Sequence, residues 1–361
     1  VYITAEDAGG RKDQALFALN VNKPPVVTVS DASGPEGSVI PIHATAVDPD
    51  GDTVTSTWSY APFAGVDAGA TCAIAAAGAL DTTITCTDDG IYKITLTASD
   101  GVNTPVSATG TLTVSNVAPS LTITSPPTGS VYIVGTTVPV SGSVSDPGSN
   151  DVVTCNYVWD GGGPNSSAVA AGGVCTKSNT FTAAGVYTLS ITATDDDGGS
   201  SAPQSIAIII FDPNAGFVTG GGTINSPPGA YAPAPPATGK ANFGVNSKYQ
   251  KGETVPKGQS EFNLKVAALN FHAGNYQWLV VTGAKAQYKG TGTINGAGAF
   301  GFLLTVTDGQ QPGGGGVDKL RLKIWNTATN AVIYDNASGS PDDIDVANPQ
   351  PVESGSIVIH K

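Results

Sequence analysis

The stretch GVYTLSITATD, Gly185 to Asp195, sets Tyr187, Leu189, Ile191 and Ala193 on one side of a period-2 pattern and Thr188, Ser190, Thr192 and Thr194 on the other. That is the signature of a half-buried strand, with its apolar face to a core and its hydroxyl face to water. GIYKITLTASD, Gly90 to Asp100, repeats it, with Tyr92, Ile94, Leu96 and Ala98 inward and Lys93, Thr95, Thr97 and Ser99 outward. VYITAED, Val1 to Asp7, is a shortened copy with Val1, Ile3 and Ala5 in phase. The terminal aspartates Asp7, Asp100 and Asp195 stand 93 and 95 residues apart. A repeat of that length, made of short alternating strands, predicts serial β-sandwich domains.

Composition points the same way. A chain of 361 residues has room for about three domains. Gly (46) and Pro (25) are abundant, and no long 3.6-period segment occurs, so the class is all-β. Only 12% of residues are charged, which leaves Thr, Ser, Asn and Gly to build most of the surface. The net charge of −13 is uneven: residues 1–212 hold 5 Lys/Arg against 20 Asp/Glu, residues 213–361 hold 11 against 9. An acidic body argues against nucleic acid or an anionic membrane as partner. No apolar run reaches the roughly 18–20 residues of a membrane span.

The four cysteines fall two per sandwich, which suggests the disulfides Cys72–Cys86 and Cys155–Cys175. Closing loops of about 15–20 residues stabilises by roughly 3 kcal/mol in the chain-entropy model. Zinc is the rival, but it asks for CxxC spacing or nearby histidines. Disulfides imply an oxidising, extracytoplasmic setting, at the cell surface or outside it.

In chain order, residues 1–22 read as the last strand pair of a sandwich, Val1–Ala5 and Gln14–Val21. That pair belongs either to a domain cut off upstream or to one completed by another chain, since a lone hairpin is marginal in water. Lys23-Pro24-Pro25 is a semi-rigid linker. A first sandwich occupies 23–116, with Ile40, Ile42, Ala44 and Ala46 alternating and Trp58 and Tyr60 in the core. Asn116 to Pro119 repeats the linker. A second sandwich occupies 117–212, with Val138, Val140 and Val144 alternating. Tyr92 and Tyr187, opening their strands, are similar in placement to the tyrosine corner of Greek-key sandwiches. Residues 213–361 form a third, Gly-rich β domain. Its expected strands are Phe262–Leu269, Tyr276–Val281, Phe300–Thr307, Leu320–Trp325, Ala331–Tyr334 and Ser356–His360. Glycine clusters such as GTGTINGAG are expected to separate them.

The order DPDGD, WSY, GIYKITLTASDG, LTVSNVAP and its partner DPGSND, YVWDGG, GVYTLSITATDDDGG resembles the bacterial PKD-type (polycystic kidney disease) immunoglobulin-like repeats. YVWDGG is close to that family's YxWDFGDG box but lacks its Phe and second Asp. The resemblance covers residues 1–212 and implies a secreted or surface-exposed spacer or adhesive module. GKANFGVNSKYQKG, AALNFH, WLVVTGAKAQYKGTGTING and GGGGVDKLRLKIW resemble a C-terminal domain that follows such repeats in bacterial secreted proteins.

Two acidic runs are candidate calcium ligands: Asp48, Asp50 and Asp52 in DPDGD, and Asp195, Asp196 and Asp197. Hard carboxylate oxygens at alternate positions suit calcium. The competing reading of the first is a turn whose aspartates bond their own backbone, and of the second a solvated loop. No other cofactor is called for. The histidines His43, His272 and His360 lack ligand spacing, and no nucleophile elbow occurs. Tyr276, Trp278 and Tyr288 are either a sugar platform or core. Asn165 and Asn336 open glycosylation sequons.

These readings describe a structural protein rather than an enzyme: a subunit of an extracellular fibre, or a surface stalk or adhesin, assembling by strand addition and domain contacts. The expected partner is a second copy. The C-terminal strand SGSIVIHK offers one candidate edge. The alternative is the binding or spacer tail of a secreted enzyme that degrades polysaccharide or protein, with an insoluble polymer as partner.

Overall fold

The computed structural model describes residues 2–16, 21–160, 166–170 and 172–361. Strands dominate, and the sole helix among these residues is the 3-10 turn Lys265–Ala267. No helix is long and apolar enough to cross a membrane. By contacts the chain forms two compact units. The first comprises Val1–Ser120, Val144–Thr154 and Ala193–Ser201; the second comprises Leu121–Ser143, Cys155–Thr192 and Ala202–Lys361. Two loops of the second repeat therefore belong to the unit built on the first, a division that the boundary expected at 116/117 does not contain.

In the first unit one sheet carries Val26–Val29, Ile40–Val47, Asp81–Cys86 and Cys72–Ile74. The other carries Ala32–Pro35, Val106–Ser115, Gly90–Ser99 and Thr55–Ala64. Their inward residues share one core of Ile40, Ile42, Trp58, Ile84, Tyr92, Ile94, Leu96 and Leu112. Trp58 is buried because its one polar atom is satisfied: Nε1 donates to the Ala79 carbonyl at 2.8 Å. Tyr60 is half-buried, and its hydroxyl accepts the Cys72 amide at 2.9 Å. Cys72 and Cys86 sit opposite each other in register and are bonded.

The hairpin Tyr2–Glu6 with Lys12–Leu16 forms a two-stranded sheet by itself, in register Thr4 to Gln14. Ile3 is 56% exposed, so the apolar phase of this strand meets no core. The remainder of the strand expected over Gln14–Val21, and Val1, lie largely outside the described residues.

The second unit holds the body of the second sandwich. Gly185–Thr194 alternates buried and half-buried along its whole length, as its sequence dictates. Cys155 and Cys175 are bonded. Tyr187 stacks on Phe181 at 4.5 Å, and Phe181 meets Trp159 edge-on. Both tyrosine corners form: Tyr92 Oη donates to the Asp88 carbonyl at 3.0 Å and Tyr187 Oη to that of Ala183 at 2.9 Å. Each corner ties the strand to the loop that precedes it.

The same unit contains an eleven-stranded antiparallel sheet. Tyr334 from one end of it and Ile357 and Ile359 from the other share one core with Phe262, Phe271, Tyr288 and Phe302, so the sheet curls round that core. Three expectations are corrected here. Phe217–Ser226 and Gly239–Lys248 are strands absent from the expected set. GTGTI is no separator but the end of the strand Lys285–Ile294. Its Gly290 and Gly292 lie against the carbonyls of Asn275 and His272 and the rings of Phe302 and Phe271, which leave no room for a Cβ. The C-terminal strand is not an open edge: the outward amides of Ile357 and Ile359 donate to Asp318 Oδ2 at 2.8 Å and Asp308 Oδ2 at 2.9 Å. Two buried carboxylates thus occupy the donors that strand addition would need.

A bulge between Tyr276 and Trp278 sends these two residues to opposite faces. Tyr276 and Tyr288 are core, with both hydroxyls on Ser260 Oγ. Trp278 packs on the other face with Ile209, Val280, Leu303 and Ile344. The three do not form a platform. Asn336 is also spent: it is 4% exposed, and its amide donates to the Leu320 carbonyl and to Gln350. Asn165 lies outside the described residues.

These contacts set three expectations for stability. Reducing the disulfides, or replacing Cys72 and Cys86 by alanine, is expected to cost about 3 kcal/mol in the first sandwich, read by urea denaturation with and without reductant. Arg321 is 1% exposed and bonds Asp335 through Nε and Nη2 at 3.0 and 2.8 Å. Asp335→Ala removes the two-bonded partner and leaves that buried cation only the Asp342 carboxylate and the Pro341 carbonyl, with an expected cost of about 3 kcal/mol, the low end for a broken buried pair. Lys257→Ala, at an exposed pair with Glu253, is expected to change stability by less than about 1 kcal/mol.

Candidate metal centre

At one end of the first unit nine carboxylates gather: Glu36, Asp67, Asp88, Asp89, Asp146, Asp151, Asp195, Asp196 and Asp197. Four local devices bring them there. Glu36 follows the strand Ala32–Pro35, and its amide donates to the Ser115 carbonyl. Asp88 and Asp89 follow Cys86, in the loop held by the corner of Tyr92. Asp146 and Asp151 bracket the turn DPGSND, which docks through the Asn150 amide on the Thr87 carbonyl at 3.0 Å. Asp195 to Asp197 end the organising strand of the second repeat. Gly37 and Gly148 are required by close approach: a Cβ on Gly37 would strike Pro147, and one on Gly148 would strike the carboxylates of Asp151 and Glu36.

The carboxylates are held in a consistent way. Glu36 Oε1 accepts the Val117 amide at 2.6 Å, while Oε2 is buried without a partner. Asp88 Oδ2 accepts the Asp67 amide at 2.7 Å, and Oδ1 is left over. Asp146 Oδ1 accepts from Gly148, and Asp195 Oδ1 from Gly199 and Asn116; the second oxygen of each is left over. Asp151 has both oxygens buried and unpartnered. Glu36 and Asp88 are each 1% exposed and Asp195 5%. Glu36, Asp88, Asp146 and Asp195 thus each have one oxygen anchored by a backbone amide and the other presented to the cluster, while Asp151 presents both.

Three groups of three carboxylates have oxygens within 4.8 Å of one another: Glu36, Asp146 and Asp151; Asp67, Asp88 and Asp197; and Asp151, Asp196 and Asp197. Oxygens on one calcium ion, at 2.3–2.6 Å from it, span up to about 5 Å. None of the ion pairs among the described residues involves a member of the cluster. No cationic side chain among the described residues therefore opposes burial and mutual repulsion, which outweigh the backbone hydrogen bonds to Glu36 and Asp146. Burial raises Asp151 to about 8, helped by Glu36 and Asp146; it raises Glu36 to about 7 and Asp197 to about 6, and lifts Asp89 and Asp146 as well. Uncompensated carboxylate oxygens in overlapping threes are of the kind that can hold a hard divalent cation.

Of the residues singled out from sequence, Asp196 and Asp197 enter these groups and Asp195 stands beside them. Asp48, Asp50 and Asp52 do not. Asp48 Oδ1 accepts the amides of Asp50 and Asp52, and Asp50 Oδ2 accepts that of Lys23, as in a self-bonded turn. The sequence reading did not single out Glu36, Asp67, Asp88, Asp89, Asp146 or Asp151 as members of an acidic cluster. The available signal was that DPGSND stands where DPDGD stands in the preceding repeat. The histidines have local partners: His43 with Asp81, His272 with Glu261, and His360 with Thr219.

No family model and no curated protein matches the chain. Solved structures with some similarity include the fibronectin(III)-like modules of CbhA from Clostridium thermocellum, at 18% identity over 51% of this chain and 94% of that one, TM-score 0.23. Titin A168–A169 gives 13% over 53% and 100%, TM-score 0.28. Extracellular cadherin domains 3–6 of protocadherin gamma B2 give 13% over 79% and 69%, TM-score 0.27. TM-scores this low carry no argument, and the all-β, tandem immunoglobulin-like assignment stands on the strand pairings themselves.

The raised pKa values tie the stability of the first unit to pH. A carboxylate whose folded value exceeds its unfolded value of about 4 stabilises the fold at low pH, and loses that contribution as pH rises through the folded value. In chelator, the melting temperature of the first unit is expected to fall between pH 5 and pH 9, most steeply from about 6 to 8. Scanning fluorimetry across that range checks it, with a flat or rising profile as the contrary result.

Proposed function

We propose that the chain is a structural segment of an extracellular fibre, stalk or adhesin, made of PKD-type sandwiches and set by divalent cations, calcium foremost. The observation that carries this reading is the set of anchored carboxylates with their free oxygens turned on one another. Nothing but protons or cations can neutralise such a set, and calcium is the hard cation with a coordination shell loose enough for many carboxylates. Two disulfides suit an oxidising compartment, where calcium is plentiful. In this role the cation ties two loops of the second repeat, Val144–Thr154 and Ala193–Ser201, to the end of the first sandwich. The exposed hairpin Tyr2–Leu16 is the surface for adding a second copy.

Calcium at a hundred times its dissociation constant stabilises by about 2.7 kcal/mol per site. For a unit of this size that is a rise of roughly 5–10 °C in melting temperature over chelator. Magnesium, which prefers a small octahedral shell and keeps its waters, is expected to give less. Equal melting curves in calcium and chelator at pH 7.5 would sink the reading. Light scattering with and without calcium tests assembly separately.

One observation favours a second reading, the polymer-binding tail. A cleft of about 380 Å³ in the second unit is lined by Trp278, Trp325, Lys289, Asp342 and Asn330 among others. Aromatic faces beside hydrogen-bonding groups suit sugars. Pull-down on chitin, cellulose and collagen is expected to retain the chain on this reading and to lose it with Trp325→Ala.

A further inference from the structure

We infer that the acidic centre holds a row of three calcium ions, bridged by Asp151 and Asp197. This deepens the calcium reading and rests on it. The three carboxylate groups are not separate. Asp151 belongs both to the group with Glu36 and Asp146 and to the group with Asp196 and Asp197. Asp197 belongs to the latter and to the group with Asp67 and Asp88. Two shared residues thus link three positions in sequence: Glu36/Asp146/Asp151, then Asp151/Asp196/Asp197, then Asp197/Asp67/Asp88.

Three further facts favour a row over a single ion. Asp151 is the carboxylate with both oxygens buried and unpartnered, which is what a bridging ligand needs and a terminal one does not. Both outer positions hold an almost fully buried carboxylate with an oxygen to spare, Glu36 at one and Asp88 at the other. The charge also asks for several ions. One calcium would leave seven of the nine negative charges, whereas three leave a residue of three, within reach of bound water and the surrounding amides. Ions that share a carboxylate stand about 4 Å apart. Filling one position orders the bridge for the next, so binding is cooperative.

The experiment is equilibrium dialysis of the full chain against radioactive calcium at pH 7.5, run beside the melting-temperature comparison. Three ions per chain are expected. Glu36→Gln removes an outer position and is expected to leave two. Asp151→Asn and Asp197→Asn each remove two positions and are expected to leave one. Asp48→Asn, in the self-bonded turn, keeps three. Circular dichroism confirms that each variant is folded. Independently of any variant, the chain loaded with mixed terbium and europium is expected to show energy transfer between neighbouring ions. One ion per chain, no lanthanide transfer, or Asp151→Asn behaving like Glu36→Gln would overturn the row while leaving calcium stabilisation in place. Absence of both calcium uptake and any rise in melting temperature would remove the row and the calcium reading together.

Discussion

Negative charge gathered in a partly dry place is the constraint on which the first unit depends. The backbone supplies it: amides of Val117, Asp67, Gly148 and Gly199 each grip one oxygen of a carboxylate and leave the other facing its neighbours. Such a grip lowers a carboxyl's proton affinity, yet here burial and like charge win, since Glu36 and Asp146 are pushed up rather than down. The two loops of the second repeat that cluster with the first unit are the loops that bring Asp146, Asp151 and Asp195 to Asp197.

The sandwiches supply the geometry at little cost. Period-2 strands place each apolar residue inward, and the tyrosine corner then pins the loop beside the strand. In the first sandwich that loop carries Asp88, so the hydrogen bond that defines the corner also helps position a charged group. The curled sheet of the second unit solves a different problem. Its glycines let strands cross close to neighbouring carbonyls and rings, and its aspartates at 308 and 318 cap the outward amides of the last strand. Both are ways of closing a sheet without inviting another chain to its edge.

The sandwiches were largely legible because half-buried strands announce themselves: the pattern of Gly185–Thr194 can be read without knowing its neighbours. The strand Phe217–Ser226 was not, because Gly220 to Gly222 carry no side chain to alternate and their place is decided by what lies across the sheet; Gly239–Lys248 does alternate, with Ala241, Phe243 and Val245 buried, and its pattern was overlooked. The division at Tyr276 and Trp278 was hidden for a related reason. A bulge reverses the faces, and a bulge is a property of two paired strands.

The acidic centre divides in the same way. Sequence alone determined that the chain is all-β, that its cysteines pair within each repeat, and that the turns between strands are rich in aspartate. Each follows from residues close together in the chain. Only the tertiary structure decided which aspartates converge: Glu36, Asp88 and Asp151 lie far apart in sequence and meet because two loops of one repeat fold onto the end of another. Asp48, alike on paper, gives one oxygen to the amides of its own turn, and neither it nor Asp50 or Asp52 enters a carboxylate group. Local pattern fixes which atoms are available, whereas convergence depends on long-range contacts that no single stretch encodes.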